Sequence, residues 1–514
     1  MNSLPQEITS LITSNLEPPL SPYASISRQF QHAIEHDTFN SITTNSDSFQ
    51  SEFASAFSDD PNKVHRRGLL RSLEYNIVLA SPSKKRMRKM QSTAEKEEND
   101  KIFTREVKKL FEFFKSWNDE DPGVKLTITP MAKCDLYAAG GVQGMKDQLK
   151  EIGFDGAEME LIPAAGVIRH LDIGCGPGRR IDPAGLRILA KATPKLTGFD
   201  MWFYPVGKRL MDERRRWRSR LADSLLSLAT TNGMLEHLTM LRIFIADKEP
   251  WNQNCEPGRL VQEGGRDRLS VAIRKISQLP ALKELILQGQ HIISSELFED
   301  RDGKDSGTWP SLTSIELSMS LISPDGHWAI AGNPDSQEPL SEEEEDESDV
   351  GDDESQIASE DSNTSDYVSE AKWRRENGEF PQHFFRGQPV DSVLEPVMAA
   401  MARATTRMPK LEFIKFYIQG GYPLATITVE YYGPGNTAWV PDDHPDREGN
   451  WEAVNSTSAG PRWILYLNQG FWRWTIPREL KTALVESVGE GNVRLMRTWT
   501  DDDTQVSEIE VERF

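Results

Sequence analysis

The feature that most constrains this chain is a short apolar pattern that recurs over most of its length. The pattern places apolar residues at its first, fourth and sixth positions, as in a turn that leads into a buried strand. A proline stands two residues before the first apolar position in four of the six copies, where it ends a helix and starts an extended segment. The copies are Ile168-Leu171-Ile173, Leu196-Phe199-Met201, Leu238-Leu241-Ile243, Leu282-Leu285-Leu287, Leu312-Ile315-Leu317 and Leu411-Ile414-Phe416.

Helix-like stretches precede several copies, at 184–192, 271–279 and 397–408, so the unit reads as helix, proline turn and short strand. This order is typical of leucine-rich repeats in irregular form, because the copies begin 28, 42, 44, 30 and 99 residues apart. We expect an α/β fold class with an irregular leucine-rich-repeat-like solenoid, in which the fifth and sixth copies form neighbouring strands. Ordinary buried strands of an α/β domain would give similar local patterns, and that alternative stays open.

The long interval before the sixth copy contains an acidic stretch. Residues 341–371 include fourteen Asp or Glu, many serines and no Lys or Arg. Such a composition buries too little apolar surface to offset the entropy of ordering, so we expect a disordered acidic insertion at about 334–372. The formal net charge is −21. Most of it belongs to this insertion, and no long basic stripe is visible elsewhere, so we expect no nucleic-acid partner.

Composition also bears on the compartment. The 514 residues, 37% of them hydrophobic, can bury a large core in several structural units. The three cysteines, Cys134, Cys175 and Cys255, are far apart, which gives neither a disulfide framework nor a paired-cysteine metal site. The first residues lack a basic start followed by an apolar run, and no eighteen consecutive residues are apolar. We therefore expect a cytoplasmic or nuclear protein with no membrane span and no metal.

The first 42 residues form a separate pattern of short helices. Ile8, Leu11, Ile12 and Leu16 share one face of a predicted helix that starts at Pro5, where proline suits the first turn. A second predicted helix follows at 22–34. A small helical hairpin cannot bury both of its faces, so a partner has to cover it.

Two sequence elements of this region resemble the F-box. They are Leu4-Pro5-x-Glu7-Ile8 at the start and Ile26-Ser27-Arg28-Gln29-Phe30 near the middle. Two departures from the F-box pattern are Phe30, where a tryptophan is usual, and the Pro18-Pro19 pair, which shortens the first helix. The resemblance implies a Skp-type adaptor and a cullin scaffold as partners. The implied adaptor-binding residues are Leu4, Pro5, Glu7, Ile8, Leu11, Ile12, Ile26 and Phe30. Alternatively, these apolar residues cap the first repeat.

In pattern and order, most of the chain is similar to a large group of fungal F-box proteins. The segments that carry this similarity are 179–183, 194–196, 241–245 and the tryptophan-rich end at 463–474. The resemblance implies a substrate-recognition adaptor of a cullin ubiquitin ligase that holds an unknown client protein and needs no cofactor. We expect an F-box-like motif at 1–45, repeats at 46–333, the insertion at 334–372 and the remaining repeats with an aromatic-rich part at 373–514.

A competing enzyme interpretation comes from residues 168–178, IRHLDIGCGPG. They are similar to the glycine-rich first motif of S-adenosylmethionine-dependent methyltransferases, in which a strand end lets the backbone approach the cofactor at a helix start. Pro183 would stand in the first turns of the following helix, and Asp200 comes several residues later than the acidic strand end of that family. The repeat pattern already explains the strand, so the adaptor interpretation is preferred and no catalytic residue is predicted.

Two weaker signals remain. The basic run at 84–89 is typical of either a nuclear-import patch or a solvated face. Five aromatic residues near the C-terminus form either a binding hot spot or part of a core strand, and the sequence alone favours neither. They are Trp463, Tyr466, Phe471, Trp472 and Trp474.

Overall fold

The chain forms two compact units in a computed structural model. The N-terminal unit comprises Met1–Met87, Gln91–Trp202 and Asn232–Leu238, and the C-terminal unit comprises Arg88–Met90, Phe203–Thr231 and Thr239–Phe514. The structure describes residues 5–17, 20–61, 63–81, 91–118, 122–132, 151–156, 162–174, 179–231, 233–247, 249–262, 264–301, 307–336, 374–419, 426–436, 460–468, 471, 473–500 and 507–514.

The N-terminal unit is built on parallel strands that neighbour one another in sequence order, from β1 to β5. The strands are β1 (Ser41–Asn45), β2 (Ser72–Leu79), β3 (Val124–Ala132), β4 (Ile168–Ile173) and β5 (Gly198–Phe203). Its helices are α1 (Gln6–Thr13), α2 (Ser21–Ala24), α3 (Arg28–Asn40), α4 (Ala54–Ala56), α5 (Thr93–Lys115) and α6 (Leu186–Ala192).

Helix α5 covers the apolar face of this sheet, and its own sequence sets its start. The Ser92 hydroxyl accepts the Glu95 N–H at 3.2 Å, while the Glu95 carboxylate accepts the Ser92 N–H at 2.8 Å, which is a capping box. The buried face of the helix presents apolar side chains at helical spacing to β2. These are Phe103, Val107, Leu110, Phe111 and Phe114.

The C-terminal unit contains a mixed sheet. Strands β6, β7, β8 and β11 are mutually parallel, β12 is antiparallel to both β11 and β13, β14 is parallel to β13, and β15 is antiparallel to β14. Strands β9 and β10 form a separate antiparallel pair. The strands are β6 (Met240–Ile245), β7 (Glu284–His291), β8 (Ser314–Met319), β9 (Ile330–Gly332), β10 (Arg386–Pro389), β11 (Phe413–Gln419), β12 (Thr426–Tyr432), β13 (Arg462–Asn468), β14 (Val493–Thr500) and β15 (Ser507–Arg513). The helices are α7 (Met211–Thr230), α8 (Arg268–Ser277), α9 (Asp391–Thr405) and α10 (Arg478–Val488).

All six copies of the apolar pattern mark strands with buried residues. The fourth and sixth positions of each copy lie in β4, β5, β6, β7, β8 and β11, and every apolar position of the pattern is buried. The expected pairing of the fifth and sixth copies is confirmed, because Ile315 lies opposite Ile414 and Leu317 opposite Phe416 in the parallel pair of β8 and β11.

The predicted architecture, an amino-terminal helical F-box followed by an irregular leucine-rich-repeat-like solenoid, is wrong. The protein is mixed α/β with mostly parallel strand pairs, and α3 continues directly into β1, which pairs with β2. A solenoid stacks one supersecondary unit repeatedly. Here the helices range from 3 to 23 residues, and antiparallel pairs interrupt the parallel order at β12 and β15. The predicted acidic stretch at 341–371 and the basic run at 84–89 lie outside the described residues.

The C-terminal aromatic residues contribute to the core of their unit. Trp463 is buried in β13, and its indole N–H donates to the Ser487 hydroxyl at 2.9 Å, which joins the strand to α10. The indole N–H of Trp474 donates to the Asp391 carboxylate at 2.8 Å, at the start of α9. The core-strand interpretation is therefore correct for Trp463. Trp472 lies outside the described residues.

His291, at the end of β7, is buried and gives the C-terminal unit a sensitivity to acid. Its Nε2 lies 3.0 Å from the Ile243 carbonyl oxygen and 2.9 Å from that of Gln288, a geometry that suits a neutral ring donating to the backbone. Burial lowers the pKa of His291 from 6.5 to about 4. Between these two values the unfolded chain binds more protons than the folded one, so stability falls as the pH drops from 6.5 to 4.

We predict that His291→Gln reduces this sensitivity, because glutamine can donate to a carbonyl and does not titrate. Between about pH 7 and pH 5 the wild type should lose about 1–2 kcal/mol more stability than the variant. Urea unfolding at the two pH values measures the difference. His237→Gln, at an exposed histidine, is the control and should behave like the wild type. An equal loss of stability in the wild type and in His291→Gln would show that His291 does not cause the acid sensitivity.

Candidate partner-binding site

Helix α1 is oriented with its apolar residues outward. Thr9 and Thr13, four residues apart on one face, are 1% and 4% exposed. Ile8, Leu11 and Ile12, on the other face, are 44%, 62% and 38% exposed. An amphipathic helix on a folded domain normally buries its apolar stripe, so this arrangement is the reverse of the usual one.

Local hydrogen bonds make the burial of the two threonines possible. The Thr9 hydroxyl donates to the Pro5 carbonyl at 3.3 Å, and the Thr13 hydroxyl donates to the Ser10 carbonyl at 3.0 Å. Each hydroxyl is therefore satisfied within its own helix, which removes most of the cost of burying it. The helix can pack its threonine face against α3 and leave its isoleucines and leucine uncovered.

The turn before α3 carries a further exposed apolar residue. Ile26 is 51% exposed between α2 and α3. The next residue, Ser27, is the N-cap of α3, and its hydroxyl accepts the Phe30 N–H at 3.3 Å. Phe30 is 6% exposed and packs inside the unit. Ser27 and Phe30 thus hold the start of α3 in place, while Ile26 stays accessible.

A buried carboxylate connects α3 to the segment that follows α4. Glu35 lies 2.8 Å from His65 Nε2 and accepts an N–H of Arg66 at 2.9 Å and of Gln31 at 3.4 Å. Burial alone would raise the pKa of Glu35, but these hydrogen bonds outweigh it and hold the pKa below its ordinary value. A charged Glu35 therefore keeps α3, on which α1 packs, fixed to the rest of the unit.

The structure leaves most of the predicted adaptor-binding residues accessible at the N-terminal helices. Pro5 and Glu7 are exposed at the start of α1, and Ile8, Leu11, Ile12 and Ile26 form what we call the apolar docking surface. Phe30 is buried and does not belong to this surface. Leu4 lies outside the described residues.

The glycine-rich segment of the enzyme interpretation is described only in part. Gly174 follows β4 with φ +77°, and a Cβ atom at this position would come within 2.5 Å of the Trp202 carbonyl oxygen. Glycine is therefore required here by the close approach of β5 and by the left-handed backbone. Cys175, Gly176, Pro177 and Gly178 lie outside the described residues.

Charged side chains cluster on the sheet face beside this segment. Asp172 on β4 lies opposite Asp200 on β5, and both are buried. Lys125 Nζ is 3.9 Å from a carboxylate oxygen of each, and His170 Nε2 is 3.1 Å from Asp200. The acidic residues that a cofactor site would use thus already interact with basic side chains of neighbouring strands.

Sequence reasoning missed a second polar cluster, in the C-terminal unit. Burial raises the pKa of Glu249 to about 7 and lowers the pKa of Lys208 to about 8. The Glu249 carboxylate accepts the Leu321 N–H and, at 3.2 Å, the Ser320 hydroxyl, which ties the loop after β6 to the end of β8. Acidic residues directly after an apolar strand, at 247 and 249, were the available signal. Strongly shifted groups occur both in functional sites and in structural ion-pair networks.

The described helices include none that is long and apolar enough to cross a membrane. Within the same described ranges, no group of three or more His, Cys, Asp or Glu side chains converges as a metal site. Neither the protein-family models nor the curated proteins contain a match to this chain.

Proposed function

We propose that this chain is a substrate-recognition adaptor of a cullin ubiquitin ligase and docks on a Skp-type adaptor through the apolar docking surface. Its role would be positional and would be carried out in the cytoplasm or nucleus. The ligase supplies the covalent chemistry, and this chain raises the effective concentration of a client protein near the ubiquitin-loaded enzyme.

The single observation that carries the proposal is the reversed orientation of α1. Covering an isoleucine or leucine side chain contributes about 1.5–3 kcal/mol, and α1 leaves three such residues accessible while it buries two threonines. A helix that presents apolar residues at positions 8, 11 and 12 can insert into an apolar groove of another protein. A partner that covers this face would gain the free energy of burying these side chains, which are partly exposed to water in the isolated chain.

The sequence of this region supports the identity of the partner. Pro5, Glu7 and Ile8 belong to the segment that resembles the start of an F-box, and they lie on α1 or directly before it. The F-box resemblance concerns these residues and their partner, and the proposal does not depend on a separate helical domain.

We predict that the triple variant Ile8→Ala, Leu11→Ala, Ile12→Ala weakens binding of the Skp-type adaptor by about 100-fold or more, since each change removes a large part of a buried apolar contact. Alanine preserves the helix, and exposed positions contribute little to folding, so urea unfolding should change by less than about 1 kcal/mol. Co-purification from native cells and titration with purified adaptor measure the binding.

Val64→Ala is the matched control, because Val64 is also an exposed apolar residue of the N-terminal unit but lies outside the docking surface. This variant should bind the adaptor as the wild type does. Full binding by the triple variant with an unchanged fold would remove the adaptor proposal.

The methyltransferase interpretation makes a different prediction for the effect of S-adenosylmethionine on the wild type. If Gly174 serves only the close approach of β5, Gly174→Ala loses about 1–3 kcal/mol of stability through backbone strain. Millimolar S-adenosylmethionine should then leave the melting temperature of the wild type unchanged. A ligand at a hundred times its Kd would add about 2.7 kcal/mol. A clear upward shift of the wild-type melting temperature with S-adenosylmethionine would favour the enzyme.

A further inference from the structure

Arg462, the first residue of β13, is a buried charge that has no counter-charge among the residues that the structure describes. Its side chain is 3% exposed and lies over the Tyr432 ring, 5.1 Å from its centroid. One guanidinium nitrogen, Nη2, donates to the Asn436 carbonyl at 2.7 Å. The other two nitrogens, Nε and Nη1, are buried and have no hydrogen-bond acceptor in the described part of the chain.

Other arginines surround this position. Arg494 on β14 is buried on the same sheet face as Arg462, and it lies directly opposite Arg513 of β15. Burial and the charges of Arg513 and Arg462 lower the pKa of Arg494. Like charges in such proximity repel one another, which adds to the cost of burying both arginines.

The acidic side chain of the same sheet face interacts with other groups. Glu430 on β12 accepts the Tyr432 hydroxyl at 2.6 Å and is also bound by Tyr466. In the described part of the chain no carboxylate forms an ion pair with Arg462, whose pKa is lowered by burial.

A buried guanidinium with unused donors is costly, because it has lost its water without gaining partners. Buried charges in folded proteins are therefore almost always paired. An oxyanion is the group that satisfies arginine donors best, since each of its oxygens accepts a charge-assisted hydrogen bond. A dianion would in addition offset the repulsion between two neighbouring arginines.

We propose that Arg462 and Arg494 form a binding site for an oxyanion of the phosphate class. Arg462 supplies the unused donors, Arg494 adds charge, and the exposed Arg513 attracts the anion from solution. The phosphate could be the free ion or the phosphoryl group of a modified side chain, and both present the same oxygens to the arginines.

The test is thermal unfolding of the full chain in about 10 mM inorganic phosphate and in sodium chloride of equal ionic strength. The wild type should melt about 2 °C or more higher in phosphate. Arg462→Met should lose this shift. Arg497→Met is the matched control, because Arg497 lies on the neighbouring strand β14, faces the other side of the sheet from Arg494 and pairs with Glu512 at 3.2 Å. This control should keep the shift.

A second readout separates binding from a general salt effect. Without phosphate, Arg462→Met should melt higher than the wild type, since methionine fills the space without an unpaired charge. Should Arg462→Met fail to fold, Arg494→Met replaces it and should lose the phosphate shift. Phosphoserine at the same concentration identifies the source: a larger shift than with phosphate indicates a phosphorylated side chain, and an equal or smaller one the free ion. No phosphate shift in the wild type, or an equal shift in Arg462→Met, would overturn the proposal.

Discussion

The alternating burial along four of the strands is the constraint on which the structure depends. Along β2, β6, β8 and β11, alternate residues are buried, and the residues between them are at least partly accessible. The parallel pairs join these strands with their buried residues in register, so that a single apolar face meets the helices. A slip of one residue in any pair would exchange the two faces, and the apolar pattern prevents it.

On the other face of each sheet, strand pairing brings together charged residues that are far apart in sequence, several of them buried. In the N-terminal unit it places Asp172 beside Asp200 and within reach of Lys125. In the C-terminal unit it places Arg462 near Arg494. The first set largely balances its own charge. Among the described residues Arg462 has no such balance, since two of its guanidinium nitrogens have no acceptor there, and this difference makes it the stronger candidate for a ligand site.

The N-terminal helices pack differently from the strands, because α1 buries polar side chains and exposes apolar ones. Helix α1 packs through threonines whose hydroxyls are satisfied locally, and the start of α3 is fixed by Ser27 and Phe30. The apolar residues of α1 are therefore not needed for folding of the isolated chain. Selection for a partner would keep them apolar, whereas solubility alone would favour polar residues at these exposed positions.

The sequence alone determined the six strands that carry the apolar pattern and the buried residues in them, since this pattern and the proline before it are local signals. The other strands were not predicted from it. The sequence also indicated that Ile8, Leu11 and Ile12 share a helix face, because helical spacing is equally local. Only the tertiary structure decided how the strands associate, where antiparallel pairs replace a repeating stack, and which face of α1 points outward. It also placed Phe30 inside the unit and buried Arg462 with two guanidinium nitrogens that find no acceptor among the described residues. These outcomes depend on contacts between segments that are distant in sequence. The free energy of burying a side chain is set by its neighbours in space, and the order of residues along the chain does not specify those neighbours.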